Sequence, residues 1–150
     1  IDQGPVFAAL KSRLHWTSPK IVDGDGKPRA IIEETTIIRI FRATKTTQIV
    51  DFEIQLKPLL DDVRIGGAEN VKGYSGFTVR VRPPREMKIL TEFNALAVDA
   101  VGTHSRWADI TGQFSDSEQL SGIAILSHRS LPEFPPRWLQ IGRATCRERV

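Results

Sequence analysis

"PKIVDGDGKPRAIIEETTIIRIF", residues 19–41, decides the fold class. Asp23-Gly24-Asp25-Gly26 is a tight-turn signal, because glycine reaches positive φ without a Cβ clash. The turn parts the apolar pair Ile21-Val22 from a β-branched run, Ala30 to Phe41. Isoleucine and threonine are stiff at χ1 and suit a pleated surface better than a helix. A β-hairpin is the expectation.

The same period of two extends in both directions. Upstream, Val6, Ala8, Leu10, Leu14 and Trp16 alternate with Phe7, Lys11, Arg13 and His15; downstream, Val50, Phe52, Ile54 and Leu56 alternate with Asp51, Glu53, Gln55 and Lys57. Alternation of this kind predicts half-buried strands, and Pro58 closes the second one near a sheet edge. In "FTVRVR" (77–82), Phe77, Val79 and Val81 oppose Thr78, Arg80 and Arg82. "EMKILTEF" (86–93), "RWADITGQF" (106–114) and "RWLQ" (137–140) read as further strands, and the apolar run "SGIAILSH" (121–128) reads as a central one. The best helix candidate, "FNALAVDAVG" (93–102), is short and lacks a capping box, so strand or loop fits it equally. Short strands with turn signals between them predict an all-β, antiparallel β-sandwich over residues 1–140.

Composition excludes several classes. Hydrophobic residues make up 40% of the 150 and charged residues 26%, as in globular proteins, and no uninterrupted apolar run reaches the roughly 18 residues that span a bilayer. The net charge of +3 rests on "IGRATCRERV" (141–150), which holds Arg143, Arg147 and Arg149 against Glu148. Without that stretch the surplus falls to +1, so no nucleic-acid partner is expected. The one cysteine, Cys146, lies there too. Phosphate-binding glycine motifs, HExxH, CxxC and GxSxG are absent, and no cofactor or metal is implied.

Three clusters could carry chemistry. "GGAENVKGYSG" (66–76) places Glu69 and Lys72 on a glycine-rich loop, with Arg80 and Arg82 following; two guanidiniums on one face call for carboxylates, water, or an anionic or hydroxylated ligand. In "HSRWADITGQF", Arg106, Trp107 and Asp109 combine an aromatic plane with charge, as sugar sites do. The competing reading makes Trp107 core and Asp109 a cap for the turn before Gly112. In "SHRSLPEFPPRW", His128 stands at a strand end, where it could exchange protons with Glu69 or Asp109, or serve as a structural hydrogen-bonding group.

"GGAENVKGYSGFTVRVR", "RWADITG" and "SGIAILSHRSLPEFPPRWL", with "IVDFEIQL", together resemble the C-terminal part of the PmoA-like bacterial family, over about Trp16 to Leu139. That family is of largely unknown function and often carries a methane oxygenase label. The label does not suit a chain without a membrane span, since the particulate enzyme's subunits are membrane proteins. The resemblance implies a galactose-mutarotase-like supersandwich, of which this chain would be part, and a carbohydrate ligand. It carries the family's recurrent polar positions onto Glu69, Gly73, Arg80, Trp107, Asp109, Gly112 and His128. The family's proline after the histidine is replaced here by Arg129, followed by Ser130. Members are longer, so N-terminal strands of the same protein are expected as partners of residues 1–140, whose core faces would otherwise stand exposed. Residues 141–150 look like one reading frame of a sequencing adapter and are expected to be a library artefact. The functional expectation is a carbohydrate-active protein using Glu69, Asp109 and His128 in proton transfer, with Lys72, Arg80, Arg82, Arg106 and Trp107 binding the sugar. A noncatalytic sugar-binding or interaction module, or a structural half of a larger protein, is the alternative.

Overall fold

The computed structural model describes residues 1–66, 76–93, 101–116, 118–140 and 145–149, and these hold strands and no helix. Every strand pairing is antiparallel. The chain divides into two compact units, Ile1–Arg64 and Ile65–Val150.

The first unit is one sheet in the order β1-β2-β3-β4, from β1 (Asp2–Gln3), β2 (Phe7–Val22), β3 (Pro28–Phe41) and β4 (Val50–Pro58). The expected hairpin joins β2 to β3. Asp23 Oδ1 accepts the amides of Asp25 at 3.0 Å and Lys27 at 2.9 Å, Gly26 N–H donates to the Asp23 carbonyl, and Gly26 takes φ 78°. That is the positive φ a side chain would resist. β4 ends at Pro58 on the sheet edge, where a missing N–H costs no ladder bond.

Residues opposite each other on antiparallel strands share a face, so the register sorts the side chains. Leu10, Ile38 and Phe52 lie in one row, and Leu14, Glu34 and Leu56 in another, on one apolar face. Glu34 is the one carboxylate on it. Trp16 Nε1 donates to its Oε2 at 2.8 Å and Thr36 Oγ1 to its Oε1 at 2.6 Å. Burial on this face is uneven: Ile32 and Thr36 on the inner strand β3 are 4% and 9% exposed, whereas Leu10, Leu14, Trp16, Ile40, Val50, Phe52, Ile54 and Leu56 are each 38–49% exposed. Alternation fixes which side chains share a face, while burial needs a second layer. On the other face Arg39 sits between Asp51 at 3.1 Å and Glu53 at 3.0 Å. The Glu53 hydrogen bond leads in raising the Arg39 guanidinium's pKa, and Arg39 in turn holds Glu53 below the usual carboxylate range.

The second unit holds two sheets. One has the order β5-β11-β10-β7, from β5 (Thr78–Arg80), β7 (Val101–His104), β10 (Arg137–Gln140) and β11 (Thr145–Arg149). The other has the order β6-β8-β9, from β6 (Arg85–Thr91), β8 (Trp107–Gln113) and β9 (Ser121–Leu126). Their shared core is Trp138 of β10 against Ile89 of β6 and Ala108 and Ile110 of β8, with Val81, Met87 and Ile125 packed around it. In β8 buried and half-buried residues alternate without a break, so Ala108, Ile110 and Gly112 face this core while Trp107, Asp109, Thr111 and Gln113 face away. Gly112 is required there: a Cβ would lie 2.7 Å from both the Arg85 carbonyl and the Pro84 ring.

Two expectations change. "SGIAIL" is β9, an edge strand, and the central strand is β8. Leu126 at the end of β9 is 76% exposed, which apolar composition alone cannot reveal. The strand expected over "FTVRVR" stops at Arg80, leaving Arg82 in the segment before β6.

Candidate functional site

The outward face of β6-β8-β9 carries two of the sequence's candidates, Trp107 and Asp109. Cross-strand partners place Leu126 beside Trp107, Leu90 and Ala124 on either side of Asp109, and Lys88 and Gly122 on either side of Thr111. Trp107 is half-buried on this face, and the fully buried tryptophan of the core is Trp138. Asp109 lies inside the strand and caps no turn. Its carboxylate receives the Thr111 hydroxyl at 3.0 and 3.1 Å, and a carboxylate has about four acceptor positions, so further hydroxyls can be accommodated. Gly122 and Ala124 have little or no side chain, so the β9 side of the face is low.

Trp107 is held from behind by Ser105, which is fully buried. Ser105 Oγ donates to the Trp107 carbonyl at 2.6 Å and accepts the amides of Glu92 at 3.2 Å and Trp107 at 3.4 Å. Its own carbonyl accepts Trp138 Nε1 at 2.7 Å, tying the turn before β8 to the core of the unit. Glu92 completes the turn. Its carboxylate accepts the backbone N–H of Arg106 at 2.8 Å and the Arg106 Nε–H at 2.5 Å. The Arg106 amide is the main cause of a pKa below the ordinary glutamate range, so Glu92 stays ionised and acts as a clamp. Reading the sequence singled out neither Ser105 nor Glu92; both work through partners 13 or more residues away, apart from the local Ser105–Trp107 bonds.

Trp107 and Asp109 therefore share one face of β8, with Arg106 in the turn before it. The others do not join them. His128 follows β9 in a turn, with its Nδ1 2.8 Å from Ser130 Oγ and accepting the Ser130 amide at 3.2 Å. The Ser127 amide donates to the Arg106 carbonyl, three residues or about 10 Å of strand rise from the level of Asp109, and His128 follows one residue further on. Arg80 is on β5, in the other sheet, and Arg82 precedes β6. Glu69 and Lys72 lie outside the described residues.

His104 is the best-held imidazole of the unit. The Pro135 carbonyl 2.9 Å from Nδ1 can only accept, and Arg137 Nε donates to Nε2 at 3.0 Å. With these partners Nδ1 donates and Nε2 accepts. No three His, Cys, Asp or Glu among the described residues gather as a metal would need. No helix among them is long and apolar enough to cross a membrane.

A model of a family of unknown function, DUF6807, matches residues 1–143. The chain belongs to DUF6807. The match takes in the first unit, β5 to β10 and the outward face of β8, and stops before β11. No curated protein and no solved structure matches this DUF6807 chain.

Proposed function

We propose that this chain binds carbohydrate on the outward face of β6-β8-β9, and that it binds without turning the sugar over. The observation that carries the reading is the pairing of Trp107 with Asp109 on an open, low-walled strand face, with Trp107 fixed by a fully buried serine. An indole plane stacks on the C–H face of a sugar ring, while carboxylate and hydroxyl groups beside it take the ring hydroxyls. Binding is favoured over catalysis because proton transfer needs its groups within hydrogen-bond reach of one substrate atom. Asp109 and His128 occupy different levels of the sheet, and His128 is engaged with Ser130. The PmoA-like relationship and a galactose-mutarotase-like sandwich belong to the same proposal, since such sandwiches are frequent among carbohydrate-active proteins.

Retention on immobilised neutral polysaccharides in native affinity gels tests it. The wild-type chain should be retarded, and Trp107→Ala should abolish the retardation while keeping its thermal transition. Equal retardation of the two would remove Trp107 from the site; no retardation on any polysaccharide would remove the function.

A further inference from the structure

The outward face does not stop at Thr111. The last outward residue of β8, Gln113, pairs with Arg85 at the start of β6. Both line an open hollow of about 580 Å³, together with Glu86, Asp116, Glu118 and Leu120. Glu86 belongs to the irregularity in β6 between Arg85 and Lys88, where it takes φ 52°. Leu120 is 59% exposed, an apolar surface among carboxylates. Trp107 and this hollow are thus two ends of one strand face. Six residues separate Trp107 from Gln113, which at the rise of a β-strand is about 20 Å.

The middle of the face is kept low. A Cβ at Gly122 would lie 2.8 Å from Thr111 Oγ1 and 2.7 Å from the Ile110 carbonyl, so Gly122 is the residue that lets β9 pass beside Thr111 without raising a wall. Ala124 precedes Leu126 along the same edge.

From this continuity, and resting on the carbohydrate reading above, we propose that the ligand is an oligosaccharide chain rather than a single sugar, and one that carries no carboxylate or sulfate groups. Its rings run along β8 from Trp107, past Asp109 and Thr111, into the hollow at Gln113. The length sets the first half of this statement: 20 Å accommodates several linked rings, and a lone sugar on Trp107 would leave the hollow without a role. Charge sets the second. Asp109, Glu86, Asp116 and Glu118 stand along the track against Lys88 and Arg85, and the charge of Arg106 at the Trp107 end is matched by Glu92, so the surplus is negative. Polyuronates and sulfated glycans meet repulsion over the whole length, whereas hydroxyls donate to every carboxylate they reach. The two arginines for which the sequence left carboxylates, water, or an anionic or hydroxylated ligand open lie elsewhere, Arg80 on β5 of the other sheet and Arg82 before β6, and neither lines the hollow.

The test is titration calorimetry with the whole chain against neutral oligosaccharides of increasing length, the corresponding monosaccharide, and a polygalacturonate fragment of matched length. Affinity should rise about tenfold or more between one ring and four or five, with no binding of polygalacturonate even at low salt. Gln113→Ala with Glu118→Ala should return long-chain affinity to the single-ring level and leave single-ring affinity unchanged. Equal affinity for one ring and five, or a double variant indistinguishable from wild type, would overturn the extended track while leaving a sugar site at Trp107. Binding of polygalacturonate would overturn the charge argument. Absence of binding to every sugar tested would instead defeat the carbohydrate reading itself.

Discussion

Ser105→Ala is the substitution through which the architecture of the second unit can be measured. The hydroxyl is fully buried and makes one short bond to the Trp107 carbonyl at 2.6 Å, plus weaker contacts at 3.2 and 3.4 Å with the amides of Glu92 and Trp107. Alanine retains Cβ, so no large cavity opens, and the loss is one of hydrogen bonding. A typical bond contributes about 1 kcal/mol net, and a buried partner left unsatisfied costs about 1–3 kcal/mol. Glu92 and Trp107 are only half-buried and water relieves part of this, which gives about 2 kcal/mol for the variant. For a cooperative unit of this size that is a fall in melting temperature of about 8–16 °C. Differential scanning calorimetry measures the fall, and native-state hydrogen exchange locates it: the Glu92 amide should lose protection while the β8–β9 ladder amides keep theirs. A fall of under about 2 °C, with Glu92 protection unchanged, would refute the idea that Ser105 ties these elements together.

Other outcomes follow from the same geometry. Glu92 has a depressed pKa when folded, so its contribution is present above the unfolded value, about 4.3, and is lost as pH falls through the folded one. Urea midpoints taken at pH 7 and pH 3 should accordingly differ less in Glu92→Gln than in wild type. Trp138→Ala removes the central side chain of the core together with its bond to Ser105, and should cost about 3–5 kcal/mol, read as a lowered denaturation midpoint. The apolar face of the first unit should bind the dye ANS and drive self-association; Phe52→Glu with Ile54→Lys should reduce both in light scattering, and a dye-silent monomeric wild type would contradict that reading. Truncation after Gln140 deletes the strand between β5 and β10, so the amides of β5 should lose exchange protection. An unchanged exchange pattern would mark residues 141–150 as dispensable.

Much of the strand pattern was legible from alternation alone. Leu10, Leu14, Phe52 and Leu56 share a face because the side-chain period is two, and Asp23 to Gly26 form the turn their residue types require. Layering was not legible, because it depends on which other surface approaches. The apolar face of β2 to β4 reads as half-buried throughout, but it is buried only at Ile32 and Thr36 of β3 and open along β2 and β4, and β9 reads as central and is an edge. The two tryptophans of the second unit make the same point. Trp107 and Trp138 both sit in short strands of mixed composition, and only the partners of Trp138, Ile89 and Ile110 on another sheet, decide which one forms the core. For the candidate site, Arg106, Trp107 and Asp109 were recoverable because they are close in sequence. Gln113 and Ser105 carry no signal of their own in the sequence, since the first takes its significance from pairing with Arg85 and the second from burial against partners on other elements.

The turn between β2 and β3 also bears on how the chain ages. Asp23-Gly24 and Asp25-Gly26 are, after Asn-Gly, the kind of dipeptide most prone to isoaspartate formation, in which the following amide nitrogen attacks the side-chain carboxyl carbon, water leaves and a succinimide ring closes. Here the fold holds back both sites: two amides clamp the Asp23 carboxylate, and the nitrogen that would attack at Asp25, that of Gly26, is bound to the Asp23 carbonyl. Isoaspartate at either position, seen by peptide mapping after storage, would therefore record how often this hairpin tip opens.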